Sequence, residues 1–122
     1  LAEALVLRTL PNDMAKRHRH YSGTNPTYIE PALAEWLVEY NIEHLLLDLP
    51  SVDREEDAGQ LLAHHAFWRY PTQPRREATI TELIFVPDAV EDGLYLLNIQ
   101  ITSLELDASP SKPILYRLNS PE

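Results

Sequence analysis

The chain has 122 residues, 44% hydrophobic and 24% charged, enough apolar material for one globular domain over 1–122 with its own core. Nineteen Asp and Glu against ten Lys and Arg give a formal charge of -9, which repels polyphosphate and argues against nucleic acid as a partner. The absence of cysteine excludes disulfides and a cysteine nucleophile, so any metal must be held by His and carboxylate. No apolar run approaches the roughly 18 residues of a membrane span. A soluble, cytoplasmic protein with no membrane partner is the expectation.

The first residue is Leu1 in place of Met, and Ala4-Leu5-Val6-Leu7 already has the character of a buried strand. This predicts a chain that begins inside a longer protein. Residues 4–10 are the first strand, and 11–27 form a long polar loop around Lys16-Arg17-His18-Arg19-His20. Pro31 suits a first helical turn, and Leu33, Trp36, Leu37 and Tyr40 follow at helical spacing, so a helix is predicted over 31–40. Asn41 is placed to end it in the left-handed conformation. The apolar run 42–47, closed by Asp48, is the next strand. Strand, helix, strand in this order favours a parallel or mixed sheet with helices packed on it, an α/β class.

Asp53 and Glu56 have capping-box spacing, and Ala58, Leu61, Leu62 and His65 then share a face, which predicts a second helix over 54–67 with Arg54 to Asp57 as its solvated start. A polar loop over 69–77 leads to a β-rich run over 78–86. After an acidic turn, 94–101 reads as a strand, 107–113 as a turn and 114–118 as a last strand.

The chemistry-bearing residues are few. His44 lies within an apolar strand and reads as packing or as facing solvent at the strand's start. His18 and His20 have spacing that two imidazoles on an extended segment could share, but Lys16, Arg17 and Arg19 between and beside them disfavour a cation, so a solvated loop is the reading. His64-His65 ends a predicted helix downstream of a Pro-Ser-Val-Asp turn and upstream of Glu82, an isolated carboxylate in a predicted strand. A divalent ion needs imidazole and carboxylate converging from separate elements, which a helix end and a strand can supply. Tyr21, Trp68 and Tyr70 could line a pocket for an aromatic substrate or anchor loops by packing.

Several segments in one order carry a resemblance to a known family. Tyr21-Ser22-Gly23-Thr24-Asn25-Pro26 and Ala34-Glu35-Trp36-Leu37 begin it, and Asp48-Leu49-Pro50-Ser51-Val52-Asp53 is similar to a strand-end Asp-x-Pro-Ser-x-Asp signature. His64-His65-Ala66-Phe67 resembles a His-containing helix, Thr79-Ile80-Thr81-Glu82-Leu83 a strand ending in Glu, and Leu106-Asp107-Ala108-Ser109-Pro110 a Ser-Pro turn. Together these resemble the C-terminal half of the cyclase/arylformamidase (kynurenine formamidase-like) family of metal-dependent hydrolases.

The resemblance implies part of a swivelling β/β/α-type cyclase domain, with a mixed β-sheet and packed helices. It implies a divalent metal, zinc or manganese, with His64 and Glu82 as ligands and His65 as the fallback histidine. Asp48, Ser51 and Asp53 would lie in a supporting shell or pocket, where the two aspartates either orient an imidazole or cap structure. The substrate would be a small amide or formamide, or a cyclic amide, and the protein a homo-oligomer. The family's N-terminal motif His-x-Gly-Thr-His-x-Asp is absent here, and Gly23-Thr24 lacks both flanking histidines. The remaining ligands and the general acid/base histidine are therefore expected outside this chain. The segment from His64 to Glu82 is also several residues longer than in the typical member. The alternative reading is a catalytically incomplete domain that binds a partner or assembles through open sheet edges.

Overall fold

The computed structural model describes residues 2–119. Its contacts divide the chain into two units, one ending at Val90 and one beginning at Glu91. The class is α/β: a parallel three-stranded sheet carrying two helices in the first unit, and a two-stranded antiparallel sheet in the second.

In the first unit the strands β1 (Ala4–Leu7), β2 (His44–Leu47) and β3 (Thr79–Thr81) lie side by side in chain order. Helices α1 (Pro31–Glu39) and α2 (Leu62–Trp68) form the crossovers. Leu5 pairs with Leu45 and Leu45 with Ile80, all parallel. Two successive crossovers of the same hand place both helices on one face of the sheet, and α1 and α2 pack against each other there. As the central strand, β2 is covered on both faces: Leu45, Leu46 and Leu47 are all at most 1% exposed. Leu45 and Leu47 join Leu37, Val38, Ala63, Phe67 and Val52 in one core, while alternation turns Leu46 to the opposite face.

Pro31 occupies the first turn of α1, and Asn41 ends it at φ 59°. The buried stripe of this helix is Ala34, Leu37 and Val38. Leu33, Trp36 and Tyr40, expected on the core side from their spacing, are 38%, 49% and 58% exposed, because the sheet lies about one residue further round the helix. The predicted loop 11–27 contains a short 3-10 helix, Met14–His18, whose cap is the Asp13 carboxylate on the Ala15 N–H.

The second helix departs from its predicted start at 54. Ala58, Gly59 and Leu61 adopt φ of 57°, 73° and 48°, a left-handed conformation that no helix can run through, and α2 begins only at Leu62. The intervening segment is exposed at Arg54, Glu55 and Glu56, as expected, but it starts no helix. Asp57 accepts the Gly59 and Leu61 N–H groups, and Glu55 accepts those of Gly23 and Asn25, which ties this loop to the one after β1. The strand expected over 78–86 is three residues long. Leu83 turns at φ 56°, after which Leu83 and Ile84 donate their N–H groups to the Leu49 and Leu47 carbonyls.

In the second unit β4 (Tyr95–Ile101) pairs with β5 (Ser111–Arg117) from Tyr95 opposite Arg117 to Ile101 opposite Ser111. The last strand thus starts at Ser111, inside the predicted turn, and takes in Pro113 opposite Ile99. Leu97, Ile99 and Leu115 share the more buried face, and Leu96 and Tyr116 the exposed one. No helix among the described residues is long and apolar enough to cross a membrane.

Candidate functional site

In parallel α/β sheets, ligands gather beyond the carboxyl ends of the strands, and the polar residues singled out above lie there. Asp48 directly follows β2 and Glu82 directly follows β3. Between them, Ser51 Oγ accepts the Asp53 N–H at 3.1 Å and turns the chain so that Asp53 is buried, 7% exposed, beneath the start of α2. Asp53 does cap α2, but from ten residues upstream. Its Oδ1 accepts the Ala63 N–H at 2.6 Å, and its Oδ2 accepts the His64 N–H at 3.1 Å.

The same Oδ2 lies 2.6 Å from His64 Nδ1, and on the other side of the ring His64 Nε2 lies 3.4 Å from Glu82 Oε1. Glu82 is held in turn by the Val52 N–H, 3.1 Å from Oε1. The Trp68 ring, one helical turn on, packs at 5.2 Å from the imidazole, and its indole N–H donates to the Ala78 carbonyl. His64 and Glu82, eighteen residues apart, therefore converge, and the imidazole is bracketed by two carboxylates. Burial pushes the His64 pKa down, but the hydrogen bonds and charges of Glu82 and Asp53 outweigh it and hold the ring above its ordinary 6.5. Burial likewise works to raise Asp53, but the Ala63 N–H, the His64 ring and the His64 N–H together hold it below 3.8.

This geometry assigns the imidazole nitrogens different tasks. Donation of Nδ1–H to Asp53 fixes the tautomer, so Nε2 faces Glu82 either with a second proton or with a lone pair available to a cation. The pair offers one nitrogen and one carboxylate; Asp53, on the opposite edge of the ring, orients rather than adds a donor. Among the described residues no group of three or more His, Asp or Glu side chains is arranged to hold a metal. His65 points elsewhere: its ring packs 5.1 Å from that of Tyr70. His44 Nδ1 meets Thr79 Oγ1 at 2.9 Å, a cross-strand contact.

Asp48, 3% exposed, does not reach His64. Its carboxylate takes the Thr9 N–H and hydroxyl and ion-pairs at 2.8 Å with Lys16 Nζ, which also donates to the Thr9 carbonyl at 2.6 Å. Both side chains are nearly sequestered, 6% and 1% exposed. Lys16 was hidden in the run 16–20, whose composition is that of a solvated loop; only the pairing with a buried Asp at a strand end distinguishes it.

Arg75 is the other residue that local pattern does not reveal. Its guanidinium donates at 2.7 Å to both the Phe67 and Ile42 carbonyls and covers the Phe67 ring at 5.0 Å. The long 69–77 segment is thereby folded back on the end of α2, and Glu82, just past β3, comes within reach of His64.

No family model matches the chain. Over 88 residues, 72% of this chain, it is 30% identical to the kynurenine formamidase of Bordetella petrii (strain ATCC BAA-461 / DSM 12804 / CCUG 43448). It spans 39% of the length of that curated relative, so the similarity is to a part of a formamidase.

Proposed function

We propose that this chain supplies the later portion of the active site of a metal-dependent hydrolase of the cyclase/arylformamidase type, acting on an amide or formamide. The carrying observation is the bracketed imidazole, with Asp53 2.6 Å from Nδ1 and Glu82 3.4 Å from Nε2. A helix-borne histidine oriented by a buried carboxylate, facing a second carboxylate, is the donor set that zinc or manganese accepts. The similarity to a formamidase supports the same reading.

His64 Nε2 and the Glu82 carboxylate are the two ligands this chain contributes. They would hold a divalent ion, which would supply Lewis-acid polarisation of a substrate carbonyl and activation of water. Asp53 fixes the ring orientation and keeps Nε2 basic by accepting the Nδ1 proton, and the Val52 N–H holds Glu82 in place. The remaining ligands and the histidine that moves the proton come from outside this chain, in the manner of the family's His-x-Gly-Thr-His-x-Asp motif.

Titration calorimetry with zinc and with manganese tests this on the full chain, His64→Ala and Glu82→Gln. Weak binding by the parent chain, reduced about tenfold or more by either substitution, supports the ligand pair. Unchanged affinity in His64→Ala removes it. Hydrolysis of a simple aryl formamide by this chain alone would overturn the shared-site reading, because the proton-moving group would then lie within it.

A further inference from the structure

The His64 imidazole has one firm attachment and one loose one. Asp53 Oδ2 lies 2.6 Å from Nδ1, whereas the 3.4 Å between Nε2 and Glu82 Oε1 is longer than a normal N–H···O bond. A hydrogen bond at one edge places the ring but leaves it free to swing about that contact, so the direction in which Nε2 points needs a second restraint. Trp68 supplies one. It is the last residue of α2, four positions after His64 and therefore on the same side of the helix, and its ring lies 5.2 Å from the imidazole with the two planes 51° apart.

Trp68 is itself well held. Its side chain packs against the core, its indole N–H donates to the Ala78 carbonyl at 3.1 Å, and its own carbonyl accepts the Arg75 N–H at 2.9 Å. Ala78 directly precedes β3, and Glu82 directly follows it. The indole thus touches both the imidazole on α2 and the start of the strand that leads to the carboxylate, and a rigid bicyclic ring with a single donor fixes the distance between them. Val52 and Asp53, adjacent in the chain, are one link between His64 and Glu82, and Trp68 is a second.

We propose that Trp68 is a positioning residue for the candidate metal site: its ring fixes the plane of the His64 imidazole, and its indole N–H fixes α2 against the start of β3, so that Nε2 and the Glu82 carboxylate stay aimed at each other. Trp68 needs to touch neither an ion nor a substrate to do this. Its role toward a metal rests on the ligand pair proposed above; its hold on the imidazole does not.

Zinc titration calorimetry on the full chain tests this with Trp68→Leu, Trp68→Phe, His64→Ala and, as a control for lost packing, Val38→Ala, which thins the same core from α1. Trp68→Leu should bind zinc about tenfold more weakly, and Trp68→Phe, which keeps a ring but no N–H, should fall between it and the parent chain. Val38→Ala should keep the parent affinity although it too unfolds at lower urea. Unchanged affinity in Trp68→Leu, a Phe variant no better than the Leu variant, or an equal loss in Val38→Ala would each overturn the proposal. If the parent chain binds no zinc, or His64→Ala binds it as well as the parent, the ligand pair itself fails and a second readout, free of metal, judges Trp68. In EDTA and alkaline buffer the nitrogen chemical shifts of the His64 ring should mark a single Nδ1–H tautomer in the parent chain and a mixture in Trp68→Leu, with the Ala63 amide equally protected from exchange in both. A ring that keeps one tautomer in Trp68→Leu would overturn its hold on the imidazole.

Discussion

Two aspartates of one short segment, Asp48 and Asp53, are both buried and both take a cationic or cation-capable partner, yet they build opposite kinds of site. Asp48 is closed: its lone pairs are consumed by Thr9 and by Lys16, an ammonium whose own donors go to Thr9 and Asn12 as well. Asp53 is open at the far end: it holds a histidine by one nitrogen and directs the other at Glu82. A lysine has no second face to offer, whereas an imidazole relays orientation from one carboxylate to a second group 3.4 Å beyond. The closed cluster fastens the loop after β1 to the sheet, and the open one is where, in the function proposed above, a cation would take the place of a proton.

The contrast breaks first at Asp48. Asp48→Ala leaves a buried Lys16 ammonium unpaired, and urea denaturation should show a loss of about 3–5 kcal/mol. A loss below about 1 kcal/mol would mean that Lys16 escapes to solvent and that the cluster is not closed.

Arg75→Ala comes next, since it strips two charge-assisted hydrogen bonds and the cover on Phe67, with an expected cost of about 2–3 kcal/mol. It should also loosen the 69–77 segment, seen as faster hydrogen exchange at Thr79 to Thr81, and weaken zinc binding through the His64 to Glu82 spacing alone.

Asp53→Asn keeps the shape and one acceptor oxygen but no charge, so its stability cost should be smaller, about 1–2 kcal/mol. Zinc affinity should nevertheless fall about tenfold or more if Asp53 orients a ligating imidazole. Loss of stability with full zinc affinity would reduce Asp53 to a helix cap.

The smallest effect is in the pH dependence of the metal-free chain. His64 titrates above 6.5 in the fold, so its contribution is fully present below 6.5 and is lost as pH rises through the raised value. Asp53 titrates below 3.8, so its contribution is present above 3.8 and is lost as pH falls through the lowered value. The open cluster should stabilise most between these limits. The alkaline loss should vanish in His64→Gln when denaturation midpoints are compared between pH 6 and 9; if it persists unchanged, His64 is not its source.

Much of the scaffold was legible because its signals are local. Pro31 with Asn41 brackets α1, the apolar run ending at Asp48 is β2, and the order strand, helix, strand names the class. The pairing of His64 with Glu82 was legible as a candidate because an imidazole at a predicted helix end and a lone carboxylate in a predicted strand are few in this chain, although His64 lies in the first turn of α2 and Glu82 just past β3. The start of α2 was not, because the residues that cancel it, Ala58 and Leu61, are ordinary helix formers forced to positive φ by the loop that Asp57 and Glu55 tie down. Nor was Asp48 separable from Asp53 by pattern, since the difference lies in Lys16, thirty-two residues away; Arg75 likewise reads as solvated polarity in its own neighbourhood.

Periodicity, breakers and residue chemistry along the chain were enough to dictate the α/β class and a buried strand ending at Asp48, and to narrow the candidate residues, because each depends on neighbours within a few positions. Which aspartate serves which cation, which face of α1 is buried, and whether His64 meets Glu82 across a long intervening loop were decided by folding. Those outcomes depend on groups brought together from distant positions, and a buried charge must find a partner wherever the fold provides one.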